Sequence, residues 1–268
     1  MSTVVFLGGG RITAAMLAGL RLGKTKHRLV VHDRNPGKLR NLKKTYAVAV
    51  EPDLERAVEQ AGLLIVAVRP GSVSELLGSI GKVRRQLLRP QLLAVSLAAG
   101  VPLRLLIKSA GPPLRWARAM PSPVCRSGRG LTAVTYSRSL PRADRELIRD
   151  LFATFGEVIE IPESKFDLFT VTFSPSHGYH AVSALARAAQ EAGLDRKTAL
   201  LMSAHALADG IISWREEKHS LESVLEEAAT PGGTAAATMA AMDAAGYQRA
   251  VRLGLAAGLR RARANAGK

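Results

Sequence analysis

Over its first 160 residues the chain alternates short β-branched runs with segments whose apolar residues recur at helical spacing. The runs VVFLG (4–8), RLVVHD (28–33), LLIVAV (63–68), LLAVSLAAG (92–100), LRWARAM (114–120), LTAVTYS (131–137) and EVIEIP (157–162) read as strands. Patterns such as ITAAMLAGLRLG and DLERAVEQAG between them read as helices. Parallel strands need a crossover connection, and a helix is the usual one. The alternation therefore predicts an α/β fold with a doubly wound, mainly parallel sheet covered on both faces. Antiparallel exceptions are expected late, where the connections shorten.

The first strand runs directly into GGGRITAAM. Gly8 would allow a tight turn, and Gly10 would let a pyrophosphate approach the backbone and the N-terminus of the following helix. The third small residue of such a dinucleotide fingerprint is replaced by Thr13, although Ala14 and Ala15 keep the helix surface small. About twenty residues further on, where a second strand should end beside an adenine ribose, the sequence reads HDRNPGK. Asp33 suits ribose hydroxyls and NAD, whereas Arg34, Asn35 and Lys38 suit a 2′-phosphate and NADP. Three polar or cationic side chains outweigh one carboxylate, so NADP(H) is the expected cofactor, with NAD(H) possible. A plain turn with an N-cap is the alternative.

After EIPESKFD the pattern changes. HAVSALARAAQEAGL, RKTALLMSAHALADGIISWREE, SLESVLEEAA and the stretch from Thr234 to the end read as alanine-rich helices. The expected division is a Rossmann NAD(P)-binding domain over 1–160 and an all-α dimerisation and substrate domain over 161–268. Alanine is the best helix former, which explains part of the enrichment. A helical domain built from so little side-chain volume has a thin core, and this predicts a homodimer or a higher homo-oligomer.

Bulk composition narrows the function. The net charge of +16 invites a nucleic-acid reading, and basic residues cluster in RLGKTKHR (21–28), KVRRQLLR (82–89) and RRARANAGK (260–268). Aromatic residues make up only 4%, too few for base stacking, and no zinc-finger spacing occurs. Nucleic acid is not the expected partner; the same potential draws in an anionic cofactor or a carboxylate substrate. The apolar runs are too short for a membrane span, and MSTVVFLG lacks the features of a signal peptide. The single cysteine, Cys125, excludes an internal disulfide framework and fits a reducing compartment, so a cytoplasmic location is expected. Neither His180 nor His205 has a carboxylate and a histidine partner at ligand spacing, and no metal is expected.

In order along the chain, FLGGGRITAAM, HDRNPGKL, VAVRPGSVSELL, VSLAAGVPLRLL, RAMPSPVCRSGRGLTAV, FGEVIEIPESKFD and TPGGTAAATMAAMDAAGYQRAV resemble the pyrroline-5-carboxylate reductase family. The succession is specific where each piece alone is generic. The resemblance implies NAD(P)H-dependent reduction of a cyclic imine, 1-pyrroline-5-carboxylate to L-proline, by a Rossmann domain and a helical domain interleaved with a partner subunit. It implies that Gly8, Gly10, Arg11 and Ile12 hold the pyrophosphate, and that Val68, Arg69 and Pro70, then Ala98, Ala99 and Gly100, line the nicotinamide side. It further implies that Thr230, Gly232, Gly233, Thr234 and Ala235 hold the substrate carboxylate. Thr230 is the expected N-cap of that helix, with Pro231 in its first turn.

Departures from the family pattern concentrate in the substrate half. A G-S-G-P-A-Y segment is here Ser174-Pro175-Ser176-His177-Gly178-Tyr179, the second threonine of S-P-G-G-T-T is Ala235, and Arg69 stands where lysine is usual. Ser176, His177, Tyr179 and Thr234 are therefore the candidates for the polar role at the imine, His177 as a proton donor near neutral pH or simply as a hydrogen-bonding partner of a helix end. A different cyclic imine, or a non-catalytic NADP(H)-binding homologue, is the alternative function. A β-hydroxyacid dehydrogenase is disfavoured, because that family places a lysine and, four residues later, an asparagine on its central helix, and none of Asn35, Asn41 and Asn265 is so placed.

Overall fold

A computed structural model describes residues 2–87, 92–110, 114–217 and 219–265. Parts of the basic clusters 82–89 and 260–268 lie outside the described residues. The chain folds as β1 (Thr3–Leu7), α1 (Arg11–Leu22), β2 (Arg28–His32), α2 (Pro36–Tyr46), β3 (Ala49–Val50), α3 (Leu54–Glu59), β4 (Leu63–Val66), α4 (Val73–Leu87), β5 (Leu93–Ser96), α5 (Leu103–Ala110), β6 (Arg115–Pro121), β7 (Gly130–Tyr136), α6 (Arg142–Ala153) and β8 (Gly156–Glu160). Six helices follow: α7 (Glu163–Thr172), α8 (Ser176–Glu191), α9 (Arg196–Glu216), α10 (Leu221–Ala228), α11 (Thr234–Ala244) and α12 (Tyr247–Ala264).

One sheet runs in the order β3-β2-β1-β4-β5-β6-β7-β8, and only the β6–β7 pair is antiparallel. This is the expected doubly wound arrangement, with its antiparallel exception late. Residue alternation sends Val4, Phe6, Val31, Ile65 and Val95 to one core and Val5, Leu7, Val30, Leu64 and Val66 to the other. Helices α1, α2 and α6 cover the first face; α3, α4 and α5 cover the second. The expected strands are all present, and β3 is an eighth. At two residues, that strand carries no alternation from which it could be read.

Cys125 is fully buried in a 3-10 turn between β6 and β7, and burial pushes its thiol up to about 11. The thiolate is the reactive form. The folded protein is therefore expected to resist iodoacetamide at about pH 8 and to react only after denaturant is added. Rapid alkylation of native protein, read by mass spectrometry, would contradict this.

The chain divides into two compact units, residues 1–173 with 258–268 and residues 174–257. The division read from the sequence at 160/161 falls between β8 and α7, whereas α7 belongs with the sheet unit. The reason is a buried ionic anchor. Arg118 on β6 is 1% exposed; its guanidinium lies 3.2 Å from Asp167 and 3.4 Å from Glu163, both on α7, and 4.4 Å from the centre of the Phe166 ring. The stretch from Thr234 onward is also not one helix. It breaks at Gly246, which has φ +84° and separates α11 from α12.

The helical unit 174–257 has little core of its own. Among its described residues, the buried ones are Ala186, Ala199 and Ser203. Leu200, Leu201, Met202, Ile211, Leu225, Met242, Val251 and Leu253 are all exposed in the single chain.

Candidate active site

The sheet order reverses between β1 and β4, which opens a crevice at the C-terminal ends of the parallel strands. Three backbone hydrogen bonds continue the ladder past the strand ends. Gly8 N–H donates to His32 O at 2.8 Å, Ala67 N–H to Leu7 O at 2.9 Å and Leu97 N–H to Val66 O at 2.9 Å. They set the glycine loop, the β2 end, the Val68–Pro70 turn and the Ala98–Gly100 loop side by side along one edge.

Gly8 has φ +114°, and a Cβ there would lie 2.7 Å from Ala67 O, so no L side chain fits. Gly10 is different. Its backbone is extended (φ −81°, ψ −174°), it is the N-cap of α1, and a Cβ on it would meet nothing within 4 Å. Open space at that atom, beside the unpaired first-turn amides of a helix that has no side-chain cap, is the shape a pyrophosphate requires. Arg11 is exposed at the first helical position and Ile12 is half-buried behind it.

Thr13 breaks the small-residue rule of the fingerprint and repays it with a hydrogen bond. It is fully buried, and its hydroxyl donates to Gly8 O. The close approach a third glycine would allow occurs two turns later at Gly19, where a Cβ would run into the Cys125 carbonyl. Only the tertiary fold marks that position.

At the β2 end, Asp33 accepts from Gly9 N–H at 2.7 Å and from Asn35 N–H at 2.8 Å, with Lys38 Nζ at 3.5 Å. Burial raises the Asp33 pKa, but the hydrogen bonds from Asn35 and Gly9 and the charge of Lys38 outweigh it, and the net shift is downward. A depressed folded value means that the clamp stabilises at all pH above the unfolded pKa near 4 and is lost only as pH falls through the lower folded value. Asn35 caps α2 by accepting from Lys38 N–H at 3.1 Å. Asp33, Asn35 and Lys38 thus interlock. Arg34 instead points outward and pairs with Glu75 of α4 at 3.2 Å.

The Ala98–Gly100 loop is held on two sides. Glu163 Oε1 accepts from Leu103 N–H at 2.6 Å, just beyond the loop, while Asn265 Nδ2 donates to Ala99 O at 3.3 Å and the Ala262 carbonyl packs where a Gly100 side chain would stand. No local sequence pattern assigns these contacts to Arg118, Glu163 and Asn265, because their partners lie 45 to 166 residues away.

In the helical unit, Ser174 Oγ and Ser176 Oγ share a hydrogen bond at 2.7 Å at the start of α8, where Pro175 is the N-cap. His177 N–H donates to Ser174 O at 3.1 Å, and Tyr179, one turn into the helix, is exposed. Thr230 does not cap α11, contrary to expectation. TPGG forms a turn in which Gly233 N–H donates to Thr230 O at 2.9 Å and Gly232 adopts φ +77°, the pattern of a type II turn with proline second and glycine third. Gly233 is the N-cap, the Thr230 hydroxyl donates back to Glu227 O at 3.4 Å, and Pro231 lies before the helix. Thr234 and Ala235 therefore open α11 with first-turn amides that have no acceptor inside the helix. Among the described residues no group of three or more His, Cys, Asp or Glu is placed to hold a metal ion, and no helix is long and apolar enough to cross a membrane.

Residues 3–100 match the family model described as NADP oxidoreductase, coenzyme F420-dependent, and residues 163–265 match that of pyrroline-5-carboxylate reductase dimerisation. The pyrroline-5-carboxylate reductase of Mycobacterium leprae is 30% identical, with 94% of this chain and 92% of that protein covered. The chain belongs to the pyrroline-5-carboxylate reductase family. The reductase of Corynebacterium melassecola is 26% identical over 93% of each chain. Among solved structures, the Streptococcus pyogenes reductase superposes with a TM-score of 0.88 at 22% identity, covering 98% of both chains. The Plasmodium falciparum enzyme, solved with NADP bound, gives 0.86 at 17% identity, covering 99% of this chain and 98% of that one. At these identities the two structures support the fold, which is the one the strand and helix alternation predicts.

Proposed function

We propose that the chain reduces 1-pyrroline-5-carboxylate to L-proline with NADPH. Family membership gives the reaction class, and the open Gly10 cradle on the edge shared by four strand ends is the observation that carries the cofactor reading. When bound, NADPH supplies a hydride to the imine carbon. This chain's residues hold and orient. Gly8, Gly10, Arg11 and Ile12 present backbone amides and a cation to the pyrophosphate. Arg34 and Lys38 meet the 2′-phosphate. Val68, Arg69 and Pro70 flank the nicotinamide on one side, and Ala98, Ala99 and Gly100 on the other. The first-turn amides of Thr234 and Ala235, presented by the Thr230–Gly233 turn, receive the substrate carboxylate. Ser176, His177, Tyr179 and Thr234 are the groups that hydrogen-bond the imine nitrogen and deliver the one proton the product amine requires. Most of the rate enhancement is positional, since no covalent intermediate with the protein is needed.

The helical unit assembles with a second copy. Its exposed apolar side chains and an apolar groove of about 670 Å³ between α8 and α9, lined by Tyr179, Val182, Leu200 and Leu207, are what a partner subunit covers. NADPH oxidation followed with pyrroline-5-carboxylate and a panel of other cyclic imines tests the reading. Turnover confined to a different imine would favour the second reading, which the replacement of a substrate-side threonine by Ala235 motivates. NADPH binding with no oxidation across the panel would make the chain a non-catalytic homologue.

Arg34 and Glu75 set the cofactor preference in opposite directions. Arg34→Gln removes a charge-assisted contact and is expected to weaken NADPH by about tenfold to a hundredfold while leaving NADH unchanged. Glu75 competes with the phosphate for the same guanidinium, and both side chains are well exposed. Glu75→Gln should therefore tighten NADPH by only about two- to fivefold. Dissociation constants for both nucleotides decide it, and equal effects on NADH would mean that the adenine pocket is elsewhere.

A further inference from the structure

The basic cluster RLGKTKHR is not used by the cofactor site, and the fold places it at the opposite end of the sheet. Positions 1–50 hold ten lysines and arginines and a single acid, Asp33, which is committed to the glycine loop. A cavity of about 510 Å³ opens where α1 and α2 end and β2 begins. Arg21, Lys24, Thr25, His27 and Arg28 supply its polar lining, and no carboxylate side chain contributes. Leu20, Leu29 and Val48 give it an apolar floor.

The donor set is one-sided. Arg21 spends one N–H on Ala47 O at 2.7 Å and keeps the rest of its fork. His27 Nδ1 accepts from Ser2 N–H at 3.4 Å, which leaves Nε2 as the N–H of the neutral ring. Lys24 and Arg28 can only donate. Two helix C-termini face the same region, but together they carry about one negative charge, against three from Arg21, Lys24 and Arg28. Roughly two positive charges remain uncompensated. Lys24 (φ 52°) and Ala47 (φ 47°) both line this cavity, and they are the only non-glycine residues with positive φ among those described.

We infer that this cavity is a second anion site, distinct from the dinucleotide loop, that takes an oligophosphate. A wall of donors without carboxylates matches a ligand that only accepts. The absence of any aromatic ring from the lining disfavours a nucleobase, and a concave cavity suits a compact phosphate chain better than a duplex groove.

The test titrates inorganic tripolyphosphate into the full-length protein by calorimetry, with and without saturating NADPH. Saturable binding that survives NADPH and weakens about tenfold or more in Lys24→Gln/Arg28→Gln supports the site. Both side chains are exposed, and unchanged thermal unfolding with unchanged NADPH affinity in the variant confirms that the loss is local. Binding abolished by NADPH, or unaffected by the double variant, overturns the proposal, because the anion then sits elsewhere. Preferential binding of a DNA duplex, with a steep salt dependence that the same variant removes, also overturns it in favour of a nucleic-acid surface. Because the double variant reads the cavity directly, the result stands even if NADPH fails to bind and the cofactor reading falls.

Discussion

Gly10→Val is expected to fold nearly as well as the parent protein and to lose NADPH affinity by at least about a hundredfold, or ~2.8 kcal/mol. The two effects separate because the space beside Gly10 is empty of protein. An added side chain meets nothing within 4 Å, and the extended backbone there suits a β-branched residue. The stability change should stay within about 1 kcal/mol, the difference between glycine and an aliphatic residue at an N-cap. What the side chain fills is the space proposed above for the pyrophosphate. Gly8→Ala is the contrasting control. Its φ of +114° and the Ala67 carbonyl at 2.7 Å make it a folding defect, costing about 1–3 kcal/mol before any ligand is added. Calorimetry with NADPH and thermal unfolding on both variants give the answer. Parental NADPH affinity in Gly10→Val would remove the cofactor from this crevice.

The second large effect concerns the anchor beside the Ala98–Gly100 loop. Replacing both Glu163 and Asp167 by alanine strands the Arg118 charge at 1% exposure, with the Phe166 ring as its remaining partner among the described residues. Removing the partners of a buried charge costs about 3–5 kcal/mol. In a unit of this size that lowers the unfolding midpoint by roughly 6–20 °C. The Leu103 amide loses its acceptor in the same variant. A midpoint within a degree or two of the parent would show that the guanidinium finds water or another partner. Restoring Glu163 alone should recover more stability than restoring Asp167 alone, since Glu163 serves both Arg118 and the loop.

Periodic features were legible in the sequence, and contacts across long sequence distance were not. The strands of the sheet, the glycine loop and the helical second half all follow from local pattern, and so does the placement of Gly8 and Gly10. The alanine-rich stretch from Thr234 conceals its break, because Gly246 sits in a run of strong helix formers and is read as one more small residue. At Thr230, a threonine before proline reads equally well as a cap or as the first residue of a turn. The glycine at positive φ two residues later makes it the turn. Asp33 shows the limit most clearly. Its place at the end of the second strand marks it in the sequence as a candidate for ribose hydroxyls, but nothing local reveals that its two oxygens also accept from the backbone amides of Gly9 and Asn35. The ionic anchor at Arg118 had no sequence signal, because an arginine in a strand between two alanines reads as a solvent-facing residue.

The unit that carries the sheet is discontinuous: residues 258–265 return to it after the whole helical segment 174–257 has been made. Ala262 and Asn265 brace the Ala98–Gly100 loop from that returning stretch. On the ribosome, β1 through β5 emerge long before their brace, so the nascent sheet waits with that loop unsupported until synthesis has passed Asn265. The sheet unit thus closes around the Ala98–Gly100 loop in two instalments, the second delivered only after the whole helical segment has been translated.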